Sequence, residues 1–178
     1  MFGVSTETII PADVGASGFR SESYIGPMRA VVQRVGRACV SVDGEDVGTI
    51  DRGIVVLVCV AEGDGQQDAA VMASKLARLR IFPDEQGRMN KSVVDIGGAA
   101  LVVSQFTLCA DVRKGNRPSF SGAAEPGHAE HVIEGIVGGL AEQGLTVATG
   151  VFGAKMVVSL DNVGPVTMIV EVVDGRIA

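Results

Sequence analysis

Lys155-Met156-Val157-Val158-Ser159-Leu160-Asp161-Asn162-Val163-Gly164-Pro165-Val166-Thr167-Met168-Ile169-Val170-Glu171-Val172-Val173 is the stretch on which the reading of the fold turns. Two valine-rich runs, Lys155–Leu160 and Val166–Val173, flank a loop of Asp, Asn, Gly and Pro. Strand, polar loop, strand reads as a hairpin with a multi-residue connection. Proline fixes its own φ and donates no backbone hydrogen bond. The X–Pro bond is also the one peptide bond whose cis form costs only about 0.5–1 kcal/mol. Glycine before it bares the backbone, so both carbonyls of Gly164-Pro165 are open to a ligand. An ordinary Gly-Pro turn accounts for the same residues and is the commoner occurrence.

Working outward, the sequence before this stretch alternates strands and helices. Ala30–Val35 and Arg37–Val42 read as two strands, and Asp43-Gly44 marks a hairpin into Glu45–Ile50. Ile54–Val60 is apolar at consecutive positions, the pattern of a central strand covered on both faces. Helical spacing of Ala69, Met72, Ala73, Leu76 and Leu79 predicts a helix from about Asp68 to Arg80. Ala99–Gln105 is a further strand. His128–Gln143 is a second helix, with Ala129, Val132, Ile133, Ile136, Val137 and Leu140 inward, and Thr146–Gly150 a strand. Between them, Phe106–Gly127 is long, polar and punctuated by Gly and Pro, and connections of that length are usually functional or mobile. The expectation is one mixed α/β (α+β-like) domain of three layers. Its valine-rich mixed or antiparallel sheets carry two main helices. Residues 1–27 lack periodicity and read as a flexible extension, leaving 28–178 as the folded domain.

Composition sets limits on function. The chain has 178 residues, 47% of them hydrophobic, enough to bury its own core. Its net charge of -6 supplies no global basic field for nucleic acid. A local patch is the remaining route, with Arg78, Arg80, Arg88, Lys91, Arg113, Lys114 and Arg117 as candidates; a solvated surface explains such a set more often. Cys39, Cys59 and Cys109 are odd in number and far apart, and read as small buried hydrophobes in a reducing cytoplasm. No apolar run reaches the roughly 18 residues of a membrane span.

Three further constellations carry chemistry. His128 and His131 are spaced to share a helix face, but two histidines without a third ligand make no metal site. Ser104-Gln105-Phe106-Thr107 ends an apolar strand and enters the long loop, where catalytic groups often sit. It offers hydroxyls, an amide and backbone N–H groups able to hold an oxyanion, or simply a strand-end cap. No histidine stands nearby in sequence, so no Ser-His-Asp triad is legible. Arg113–Phe120 is basic with one aromatic and suits phosphate contacts, or a solvated loop.

Taken together and in order, the motifs resemble the D-aminoacyl-tRNA deacylases of the bacterial and eukaryotic type. The matching residues are Gln33-Arg34-Val35, Ser104-Gln105-Phe106-Thr107-Leu108, Arg117-Pro118-Ser119-Phe120, Gly150–Met156 and Asn162-Val163-Gly164-Pro165-Val166-Thr167. The resemblance implies hydrolysis of the ester joining a D-amino acid, or glycine mischarged on tRNA-Ala, to the 3′ end of tRNA. It implies a cytoplasmic homodimer with no cofactor or metal and with no membrane or DNA partner. Gly164-Pro165 would be a cis pair entering the partner's site and excluding L side chains. Arg34 would hold that loop and Thr167 support it. Phe152, Ala154 and Met156 would line the amino-acid pocket. Ser104 and Gln105 would orient the substrate, with N–H groups of Phe106 and Thr107 at the oxyanion. Weak, salt-sensitive tRNA binding follows from the acidic balance. An inactive dimeric tRNA-binding module and a metal hydrolase using His128 and His131 are the competing expectations.

Overall fold

The computed structural model describes residues 26–178; the extension expected over 1–27 lies, up to residue 25, outside the described residues. Fifteen residues, Met28–Val42, form a single long strand, β1, where two were expected. Gly36 causes no break because extended backbone continues through it. Then come β2 (Glu45–Ile50), β3 (Gly53–Cys59), helix α1 (Gln66–Arg78) and a small hairpin of β4 (Phe82–Pro83) and β5 (Met89–Lys91). β6 (Ala99–Ser104) leads into a 3-10 helix, Phe106–Cys109. Helix α2 (Pro126–Glu142), β7 (Thr146–Thr149), β8 (Met156–Val173) and β9 (Arg176–Ile177) complete the domain.

The main sheet runs β7-β6-β3-β1-β8-β9, with β2 added to β1. β3, β6 and β7 are mutually parallel; the β1 pairings are antiparallel. Parallel neighbours need a crossover, and α1 and α2 supply the two. Both helices lie on one face. Ala69, Met72, Ala73 and Leu76 of α1 and Val132, Ile136 and Leu140 of α2 share a core with Ile54, Val56 and Val58. Gly139 lets the helices close up, since a Cβ there would sit 2.8 Å from that of Ala73.

β1 changes partners along its length. Arg29–Val35 pairs with β3, and Ala38–Val42 with β2. The strand therefore swings the β2 side over toward β7, where a Cβ on Gly48 would strike the Thr149 carbonyl. A second core fills this fold: Val35, Ala38, Val40, Ile50, Val55, Leu101 and Val103. Helices, central strands and folded-over strands make the layers of the mixed sheet domain.

The expected hairpin around Gly164-Pro165 is absent. Residues 156–173 are one strand, both halves of which pair with β1. Gln33 faces Thr167 and Val35 faces Asn162, so residues 163–166 bulge out opposite Arg34 alone. The extra residues of a bulge lose their ladder partners. Here Asn162 closes the base, its Nδ2 donating to Val166 O at 3.1 Å and to Arg34 O at 3.3 Å.

Candidate active site

β6 ends at Ser104, and the chain turns at once into the 3-10 helix. The Gln105 N–H donates to Val58 O at 2.8 Å, so the turn is fixed to β3. The Gln105 side-chain amide donates to Thr107 Oγ1. Phe106 and Thr107 open the helix, where no preceding turn is present to accept their N–H groups. The far end is fastened by a disulfide between Cys59 and Cys109, with Cα atoms 6.1 Å apart. This corrects the reading of those cysteines as separate hydrophobes. Cys59 ends β3 and Cys109 follows β6, and parallel neighbours bring equivalent strand ends together despite 50 residues of separation. Cys39 is free.

Beside this turn opens a cavity of about 580 Å³. Ser104, Gln105 and Phe106 form one wall, and Phe152, Ala154 and Met156 another. Phe120 meets Phe106 edge-on at its mouth, with ring centroids 5.0 Å apart. The floor includes Ala129 and Ile133 of α2. No residue lining the cavity carries an ionisable side chain. Thr107 is exposed on the adjoining helix surface and does not line the cavity.

The remaining predicted residues form a second group. Arg34 Nε donates to Val163 O at 3.0 Å, and its Nη1 donates to Ile81 O. Gln33 Nε2 donates to Thr167 Oγ1 at 3.1 Å. The Gly164-Pro165 peptide is cis, and both residues are exposed. Neither they nor Arg34 and Thr167 touch the cavity of their own chain. Within one chain the predicted site is thus two clusters, a cavity and an exposed loop. Sequence reasoning missed Phe120, Ala129 and Ile133 as cavity residues. Phe120 had a usable signal, an aromatic in a chain only 4% aromatic; Ala129 and Ile133 follow the apolar stripe of α2 and are indistinguishable from core.

The cavity rim at Ala123 and Ala124 is held by a buried polar anchor. Ala124 N–H donates to Val60 O at 3.0 Å, and Ala61 bridges Ala123. Ala61 N–H in turn donates to Asp64 Oδ2 at 2.6 Å, and His128 Nε2 lies 2.7 Å from Asp64 O. Burial, helped by the charge of Asp68, raises the Asp64 carboxyl to about 6, against the bond from Ala61. A proton held more tightly in the folded chain stabilises the fold below about pH 4. That contribution is lost as pH rises to about 6. Asp64→Asn removes the ionisation and keeps an acceptor. Relative to the parent, its Tm is expected to gain roughly 2–4 °C between pH 4 and pH 7 in thermal melts. A pH-independent difference would show that Asp64 does not titrate in this way.

His131 lies 3.7 Å from Glu134 on an exposed helix face. Among the described residues no group of three His, Cys, Asp or Glu is placed to hold a metal, and no helix is long and apolar enough to cross a membrane.

The profile of a family described as D-Tyr-tRNA(Tyr) deacylase matches residues 31–171. The chain is 58% identical over 144 residues to a D-aminoacyl-tRNA deacylase of Heliobacterium modesticaldum, covering 81% of this chain and 96% of that one. It is 57% identical to another from Ruegeria pomeroyi, covering 82% and 100%. A solved structure titled c-Myc DNA Unwinding Element Binding Protein shares 42% identity at TM-score 0.76 over 82% of this chain and 99% of its own. One titled as a probable eukaryotic D-amino acid tRNA deacylase shares the fold, at TM-score 0.71 and 15% identity over the same shares. With a family match across most of the folded domain and relatives aligned nearly end to end, this chain belongs to the D-Tyr-tRNA(Tyr) deacylase family.

Proposed function

We infer that the protein hydrolyses the ester of D-aminoacyl-tRNA, releasing the D-amino acid and tRNA. The observation that carries the reading is the cavity: apolar, beside a turn of open N–H groups, and without an ionisable side chain. The substrate class comes from the family. A terminal adenosine and its amino acid lie in the cavity with Ser104 and Gln105 orienting them. Water attacks the ester carbonyl, and the oxyanion that forms is stabilised by N–H groups of Phe106 and Thr107. Collapse of this intermediate expels the ribose 3′ oxygen, which takes a proton. An aminoacyl ester is already labile, so positioning and charge stabilisation suffice, with the neighbouring 2′-hydroxyl assisting.

Chirality is read by the Gly164-Pro165 loop of a second copy. On β8 the exposed side chains Val157 (63% exposed), Val163 (47%) and Ile169 (64%) form an apolar series that suits self-association. In the homodimer, the loop's carbonyls stand at the α-carbon, where an L side chain collides and a D side chain points away. Glycine has nothing to exclude, so glycyl-tRNA is accepted. Such an enzyme works in the cytoplasm, with the tRNA pool. The DNA binding named for the 42% relative is not carried over, because a chain of net charge -6 lacks the field it needs.

The test is hydrolysis of matched D- and L-tyrosyl-tRNA by the purified protein with chelator present. Rapid loss of the D ester alone is expected. Failure to cleave either, by folded dimer, would leave a tRNA-binding module. Thr107→Ala is expected to retain activity within roughly tenfold, because no neighbouring base activates its hydroxyl. Complete loss with binding intact would make Thr107 the nucleophile.

A further inference from the structure

Residues 112–124 hold Arg113, Lys114 and Arg117 and no acidic residue, in a chain of net charge -6. Part of this segment is a built hairpin. Asp111 and Ser119 exchange backbone bonds at its base, 2.7 and 2.9 Å long, and Gly115 takes a positive φ of 68° at its tip. The one acid at the base is occupied. Asp111 accepts from Arg113 Nε at 2.9 Å and Nη2 at 2.7 Å, and this fork holds its carboxyl well below the usual carboxylate range. Lys114 and Arg117 are exposed and enter no salt bridge among the described residues. By contrast, Arg88 and Lys91 on the β4–β5 hairpin are matched by Asp84 and Glu85.

The position matters as much as the charge. Phe120 follows the hairpin directly and stands against Phe106 at the cavity mouth. From Phe120 back to Lys114 and Arg117 is three to six residues, a reach of up to roughly 10–20 Å of extended chain. A polynucleotide whose 3′ end lies in the cavity must leave past this mouth, and its next phosphates fall within that reach. Cations on a backbone-rigid arm with no base-reading groups suit phosphates and carry no sequence preference.

We propose that the 111–119 hairpin is a phosphate-binding arm, with Lys114 and Arg117 contacting the RNA backbone just beyond the terminal adenosine. This rests on the deacylase reading and adds how the acidic protein holds a polyanionic substrate. The double variant Lys114→Gln, Arg117→Gln is compared with the parent on D-tyrosyl-tRNA and on 3′-O-D-tyrosyl-adenosine, which has no phosphate, across a KCl series. Each single-strand phosphate contact contributes about 0.7 to the slope of log affinity against log salt. Two lost contacts lower the slope of log kcat/KM by about 1.4, so the deficit on tRNA narrows about sevenfold between roughly 50 and 200 mM KCl. The adenosine ester is cleaved equally by both proteins. An equal deficit on both substrates, or an unchanged slope on tRNA, overturns the arm. If the parent cleaves neither ester the deacylase reading fails, and anisotropy of labelled uncharged tRNA then decides on the arm alone. A reduced salt slope in the variant retains it, and identical slopes remove it.

Discussion

Gly164→Ala is expected to lower the ratio of kcat/KM for D- over L-tyrosyl-tRNA by about 100-fold, the scale of a loss from misplacing a group by about 1 Å. A Cβ at residue 164 would sit 2.7 Å from Asn162 Oδ1. That amide is not idle, because its Nδ2 closes the bulge through Val166 O and Arg34 O. For the new methyl to fit, Asn162 must move, and the two bonds holding the 163–166 bulge go with it. The tether from Arg34 to Val163 O remains, so the loop shifts rather than melts. Its carbonyls then no longer stand where an L side chain would strike them. The loop is exposed and outside both cores, so the melting temperature should hardly change. Paired rate measurements on the two stereoisomers decide the matter. A ratio equal to the parent's, with D activity intact, would remove this loop from chiral selection.

Where burial is two-sided or helical, the sequence is a good guide to this fold. Ile54–Val60 reads as a doubly covered strand, and β3 places Ile54, Val56 and Val58 in one core and Val55 in the other. The α1 stripe likewise carries its spacing into burial. Partner choice is where local pattern stops. Lys155–Leu160 and Val166–Val173 have the periodicity of strands, and a polar loop between them suggests that they pair with each other. They pair instead with one long β1, because the facing of Gln33 with Thr167 and of Val35 with Asn162 is a relation across more than 120 residues. No window of sequence contains it. The disulfide was hidden for the same reason, since only the parallel register of β3 and β6 brings Cys59 to Cys109.

The site was legible as motifs and illegible as a cavity. Ser104, Gln105, Phe106, Phe152, Ala154 and Met156 are brought together although nearly fifty residues separate the two runs, and the β-α-β crossover through α2 explains why. Arg34, Gly164, Pro165 and Thr167 form their own group beside β1. A steric filter must touch what it filters, yet the loop does not reach its own cavity. The same motifs therefore require a second chain if they act on one substrate.

That requirement yields the largest expected effect, in a dimer assembled from two defective chains. Ala154→Trp places an indole in the 580 Å³ cavity and is expected to abolish hydrolysis. Gly164→Ala leaves the cavity open and spoils the loop. Co-expression with two different tags isolates the mixed dimer. If the loop acts across the interface, the open cavity of the Gly164→Ala chain receives the intact loop of the Ala154→Trp chain. The other site is blocked. The mixed dimer then cleaves D-tyrosyl-tRNA at about half the parent rate, and with the parent's preference over the L ester, since a two-fold dimer has two equivalent sites. Neither homodimer has that property. If the loop acted on its own chain, the only open cavity would carry the altered loop, and the mixed dimer would discriminate no better than Gly164→Ala. Recovery of the mixed dimer on both tags shows that both chains fold. A return of D preference thus has one source, a Gly164-Pro165 loop contributed by the neighbouring subunit.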